Sequence, residues 1–199
     1  MHADAIARFI AAIGAACWLG ACAARDPLVS TSSATPAGNW KIERQVDRIT
    51  GAPLSSALLS TRNASNSAAP FPKPAMLQLT CFKDQPLVRL AFEFKVGSNR
   101  NSVLGYRFDE KPGREIEARF LQDFTTVVIE EKAAVAQFVS ELATSNVLYV
   151  RIRSLNAGRT AAEFQLDGAP AAIEAALAGC PQSPTPPPAP AKPPSRRTS

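Results

Sequence analysis

Few residues in this chain can act as nucleophile, base or metal ligand. Its 199 residues include one histidine, His2, and four cysteines, Cys17, Cys22, Cys81 and Cys180. His2 stands in an N-terminal segment patterned like an export signal. The α-amino group and Arg8 outweigh Asp4, and thirteen uncharged residues run from Phe9 to Ala21. That run is too short to span a bilayer as a helix, which needs about 20 residues, and it fits the apolar core of a secretory signal. Cleavage leaves a mature chain without histidine, and so without a Ser-His-Asp or Cys-His arrangement or a His-ligated metal. The sequence has no Walker loop, no GxGxxG and no CxxC. Adjacent acids, Asp109/Glu110 and Glu130/Glu131, point to opposite faces of a strand and suit solvation better than joint acid–base work. The expectation is a binding protein, not an enzyme, with no cofactor and no metal.

The cysteines have separate fates. Leu19-Gly20-Ala21-Cys22 ends the apolar run and resembles a bacterial lipobox. In such signals a peptidase cuts before the cysteine, whose sulfur carries a diacylglycerol. Residues 1–21 are then a lipoprotein signal and Cys22 is the lipidation site. Three acyl chains, as the resemblance implies, hold a protein stably where one chain is marginal. Ala23 and Ala24 after the cysteine resemble the default for the outer membrane. The alternative is an ordinary signal cut after Ala21-Cys22-Ala23, which exports the protein without anchoring it. Cys81 and Cys180 remain, and an exported compartment favours their pairing. The pair closes a loop of roughly 100 residues, for which chain entropy suggests about 4–5 kcal/mol. Two buried free thiols are the alternative.

The cationic side chains Arg89, Lys95, Arg107, Arg151 and Arg153 are expected on one polar sheet face, interspersed with Glu93, Asp109, Glu115, Glu117 and Glu163. One reading is a shallow anion site for a lipid head group or a cell-wall polymer. The other is a ladder of cross-strand ion pairs, each worth a few tenths of a kcal/mol. Asp109, two residues after Arg107, is expected to hold one of the other arginines. Tyr149 beside Arg151 offers a surface to a protein partner. Nucleic acid is not expected, because three positive charges of the +5 total lie in the C-terminal tail and leave the core nearly neutral.

These residues must be placed by strands. Val88, Leu90, Phe92, Phe94 and Val96 alternate with Arg89, Ala91, Glu93 and Lys95. Leu104, Tyr106 and Phe108 alternate with polar residues or glycine, as do Leu148, Val150 and Ile152, and Ala162, Phe164 and Leu166. Period two with one polar face predicts antiparallel strands wetted on one side. Trp40–Ile49, Leu77–Phe82, Glu115–Phe120 and Thr125–Ile129 are further strand candidates. Helices are expected over 131–144, where Val135, Phe138, Val139 and Leu142 form one stripe, and over 169–179, with Pro170 in the first turn. The predicted fold is α+β: a curved antiparallel sheet with both helices on one face, spanning residues 40–180. A flexible Ser/Ala-rich tether is expected over 22–39 and a loop over 63–74. The 181–199 tail holds eight of the 17 prolines and is expected to be disordered, with polyproline II character reaching up to about 60 Å.

Leu77-Gln-Leu-Thr-Cys81, Tyr106-Arg107-Phe108-Asp109, Phe138-Val-Ser-Glu-Leu142, Leu148-Tyr-Val-Arg-Ile-Arg153, Glu163-Phe-Gln-Leu-Asp-Gly168 and the closing helix with Cys180 follow one another in order. Over roughly residues 76–180 this series resembles the periplasmic TagO/VasI-like family associated with type VI secretion. The lipobox, the 63–74 segment and the Pro-rich tail depart from that pattern. Invasion-associated exported proteins share the closing strand and helix but carry additional cysteines that this chain lacks. The resemblance implies a secretion-apparatus accessory. The expectation is thus an envelope lipoprotein on the periplasmic face, anchored in the outer membrane. It would bind an envelope protein partner, with the tail touching the cell wall. The alternative is a small-anion or glycan-binding module using the arginine face.

Overall fold

The computed structural model describes residues 29–97, 101–121 and 123–180. The signal, Cys22 and the 181–199 tail lie outside the described residues. Among these residues ten strands and two helices follow in order. The strands are β1 (Val29–Ala37), β2 (Trp40–Asp47), β3 (Pro53–Asn66), β4 (Lys73–Phe82), β5 (Gln85–Phe92), β6 (Asn101–Phe108), β7 (Arg114–Phe120), β8 (Thr126–Ile129), β9 (Val147–Ser154) and β10 (Gly158–Gln165). Helix α1 (Lys132–Leu142) joins β8 to β9, and α2 (Ala169–Leu177) follows β10.

All pairings are antiparallel, in the order β1-β2-β3-β10-β9-β6-β7-β8-β5-β4, and β4 also pairs with β3. Strands β3 to β10 therefore close into an eight-stranded barrel. The antiparallel sheet and two helices are as expected, but the structure is a mainly β closed barrel with both helices at one end, where a curved sheet with both helices on one face was predicted. Closure depends on β3. Its 14 residues are long enough to pair with β4 on one edge and to divide the other edge between β2, at Pro53–Leu59, and β10, at Ser65 and Asn66. Closing β3 to β10 on themselves removes the edges those strands would otherwise leave, and β1 stays as an edge strand outside the barrel.

The alternating apolar residues point inward. Leu77, Leu90, Leu104, Phe108, Leu148 and Phe164 are fully buried, and Ala57, Ala75, Ala118 and Ala162 give the small volumes a narrow barrel interior needs. The outward wall carries charged residues, the reverse of a lipid-facing barrel. No helix among the described residues is long and apolar enough to cross a membrane. The connections alternate between two ends. One end has the turns 83–84 and 109–113 and both helices; the other has the segments 67–72, 93–97, 121–125 and 155–157. Helix α1 sends Phe138 into edge contacts with Tyr106 and Phe108, each 5.1 Å between ring centres. Glu131 caps this helix by accepting from the backbone of Ala133 and Ala134.

Two boundaries need correction. Residues 29–37, expected within the flexible tether, form strand β1, paired with β2 from Val29–Asp47 to Ala37–Trp40. Ser, Thr and Pro hid it, but an edge strand tolerates them because one row of its backbone groups faces solvent. The expected 63–74 loop shrinks to 67–72, since β3 runs to Asn66 and β4 starts at Lys73. Asn66 anchors that loop: its amide donates to the Ala157 carbonyl and to Thr160, both at 2.8 Å, and its oxygen accepts from Ala68. The β1–β2 turn is locked to the start of α2. Asn39 N–H donates to the Asp167 carbonyl at 3.0 Å, and the Trp40 indole donates to Leu166 at 3.4 Å. Gly38 and Gly168 both have positive φ, and a Cβ on either would strike the opposite backbone, at Asp167 or Ala37.

Candidate functional site

The disulfide is formed. Cys81 at the end of β4 bonds Cys180 just past α2, with Cα atoms 5.8 Å apart and a sequence separation of 99. It ties the last described residue to the barrel wall at the helix end.

The polar residues predicted to share one face are divided by closure. Arg107, Tyr149 and Arg151 meet on the outer wall over β6 and β9. The register explains the cluster. Gly105 of β6 pairs with both Glu115 of β7 and Arg151 of β9, and having no side chain it lets its two neighbours meet over it. The Arg151 guanidinium donates to Glu115 at 2.6 Å, and a Cβ on Gly105 would lie 3.5 Å from the guanidinium. In the adjoining row Tyr149 stands between Arg107 and Glu163. The Arg107 guanidinium lies 4.9 Å from the centre of the Tyr149 ring, a cation–π contact. On its other flank Arg151 faces Ala161 of β10, itself paired with Ser65. Large side chains flanked by Gly105 and Ala161 leave an open groove of about 700 Å³, which Asn63, Ser65 and Arg114 also line. Arg114 is held from the helix side by Glu141, at 2.7 Å.

Arg153 continues the row beyond the groove, beside Arg159 across the strand pair. Arg89 is elsewhere. It lies on β5, separated from β6 by β7 and β8, where it donates to Gln78 at 3.3 Å. Sheet closure turns a face that reads as continuous in sequence into opposite walls of a barrel. Asp109 does not clamp an arginine. It sits at φ 46° and accepts from the backbone of Asn146 at 3.0 Å and Val147 at 2.8 Å, fixing the entry to β9. Those backbone donors, Val147 first, hold its carboxyl below the ordinary value. Of the predicted ion-pair ladder, Arg151–Glu115 exists as a pair; Arg114–Glu141 and Arg119–Glu130 are pairs outside the predicted set.

Gly105, Ala161 and Arg114 escaped sequence reasoning. The signal for Gly105 was present: a lone glycine within an alternating strand marks a close approach by a neighbour. Under the groove, the Tyr106 hydroxyl is buried without a hydrogen-bond partner among the described residues. Burial, with the Glu141 charge, pushes its pKa up. Among the described residues no group of three or more His, Cys, Asp or Glu could hold a metal ion.

No protein family matches the chain, and no curated protein does. Among solved structures it is similar to the crystal structure of invasion associated protein B from Bartonella henselae. The TM-score is 0.48 and the identity 16%, over 74% of this chain and 97% of that one.

Proposed function

We propose that this chain is an exported envelope lipoprotein whose barrel binds a protein partner through the wall around Arg107, Tyr149 and Arg151. The observation that carries this is the ordered pairing of an arginine–tyrosine stack and an arginine–glutamate pair over a glycine floor. Tyrosine and arginine are the side chains that dominate binding hot spots. Here each is oriented before a partner arrives, which lowers the ordering cost of association. The lipobox string at Leu19–Cys22 supports anchoring through Cys22, and an oxidising compartment suits the Cys81–Cys180 bond. A role as a secretion-apparatus accessory is the sharper form of this proposal, supported by the sequence resemblance alone.

Two measurements test it. Mass spectrometry of the membrane fraction should find an acylated peptide beginning at Cys22; an unmodified N-terminus near Ala24 would make the protein soluble and exported. An envelope protein should co-purify through a high-salt wash and be lost with Tyr149→Ala. The groove between Gly105 and Ala161 favours a second reading, binding of a small anion or glycan. In that case Arg151→Ala would abolish uptake of the bound anion with the fold intact, and no protein would co-purify.

A further inference from the structure

We infer that the barrel end opposite the helices docks on an anionic lipid surface. Three observations at that end converge. First, Phe71 is 73% exposed and Leu155 entirely so; they sit on the neighbouring segments 67–72 and 155–157, which Asn66 binds together. Neither packs against the core, and a large apolar residue at the tip of a tight strand connection has no use in the fold. Val103, near the start of β6, is a third exposed apolar side chain toward the same end.

Second, Arg62, Lys73, Lys95, Arg153 and Arg159 ring this end, and none makes an ion pair with another described residue. Arg153 and Arg159 are direct cross-strand neighbours, a like-charge placement that costs stability unless an anion joins it. Among the described residues the acids toward this end are Glu93, Asp123 and Glu117, the last paired across the strands with Val103, and Asp123 is engaged by Thr125. Acids gather at the helix end, at Asp84, Asp109, Glu110, Glu131, Asp167 and Glu174, where they outnumber Lys83, Lys111 and Lys132. The molecule is thus polarised along its axis, with its positive pole at the Phe71 and Leu155 tips; the other exposed apolar side chains, Ile49 and Phe82, lie toward the acidic end. Third, a cavity of about 480 Å³ opens among the same segments, lined by Phe94, Phe124, Lys95 and Asn156.

Apolar tips surrounded by unpaired cations match a bilayer interface, where the tips enter the acyl boundary and the cations meet phosphate. A folded protein partner would require acids opposite these cations and a socket for the tips, and it is the outcome that overturns the inference. This inference does not depend on the Arg107–Tyr149 wall or on acylation.

The experiment is vesicle co-sedimentation with the full chain carrying Cys22→Ser, so that no acyl chain contributes. Phosphatidylglycerol vesicles should be bound and phosphatidylcholine vesicles not, with binding weakened by added salt. Phe71→Ser with Leu155→Ser should cut binding about tenfold, and Arg153→Gln with Arg159→Gln similarly. Lys132→Gln, at the helix end, should leave it unchanged. Cooperative melting, at a temperature no lower than the parent's for the arginine variant, will show that the variants fold. Equal binding to both vesicle types, no binding to either, or a loss no greater in the loop variants than in Lys132→Gln would overturn the inference.

Discussion

Arg151 reaches across Gly105 to Glu115, 2.6 Å away, on a strand that is not its neighbour. The contact spans three strands and exists because the middle one offers no side chain in that row. The glycine therefore serves both the ion pair and the groove beside it. Gly105→Val fills the space under the guanidinium, separates Arg151 from Glu115 and narrows the groove. Because the pair is half exposed, its loss costs no more than about 1 kcal/mol. The expected result is partner binding reduced at least tenfold with a nearly unchanged melting temperature, measured by co-purification and calorimetry. A large fall in stability would instead make Gly105 a folding determinant.

The disulfide joins residues far apart in the chain, so its contribution is chiefly to the unfolded state. Cys81→Ser with Cys180→Ser should lower stability by about 3–5 kcal/mol. Chemical denaturation of the oxidised protein and of the double variant will measure this. Helix α2 should lose amide protection before the barrel strands do, since Cys180 follows it directly.

Asp109 predicts an acid dependence with a definite sign. Its folded carboxyl titrates below the ordinary 3.8 because backbone donors of Val147 and Asn146 favour the charged form. Its stabilisation is therefore fully present above the unfolded value and is lost as pH falls through the folded value. Asp109→Asn should be less stable than the parent at neutral pH. The difference should hold down to the ordinary carboxylate range and shrink below it. Urea midpoints against pH will show whether the two curves converge in acid; a constant gap would contradict the assignment.

The Tyr106 hydroxyl is buried and has no hydrogen-bond partner among the described residues, so it contributes desolvation cost without a hydrogen bond. Tyr106→Phe should raise stability by about 1 kcal/mol, because removing an unsatisfied buried polar group recovers that cost. Denaturant midpoints measure this, and a drop of similar size would mean the hydroxyl has a partner.

Sequence alternation identified four of the barrel strands, because Val88–Phe92, Leu104–Phe108, Leu148–Ile152 and Ala162–Phe164 each present apolar residues at every second position. Strand β3 was not legible. Leu54-Ser-Ser-Ala-Leu-Leu-Ser puts serine and alanine where the alternation would show, since Ala57 fills an inward place too narrow for a larger side chain. Missing β3 meant missing the closure, which also depends on pairing Ser65 and Asn66 with residues nearly 100 positions away. The alternation at Phe94 and Val96 suggested that β5 continues, but it ends at Phe92. Val96 instead turns to donate to the Phe124 carbonyl at 2.8 Å. For the site, type and face were legible for Arg107, Tyr149 and Arg151, which sit at outward positions of paired strands. Arg89 was misplaced because alternation gives a residue's face and not its position around a barrel. Asp109 was misread because its φ of 46° turns its carboxylate to the next backbone segment.

The most direct measurement is photo-crosslinking in intact envelopes from a benzophenone side chain placed at position 149. The account predicts one discrete protein adduct, lost when Arg107→Ala is added and absent when the probe is moved to position 132. No adduct at 149, or equal adducts from both positions, would contradict the claim that this wall is where a partner binds.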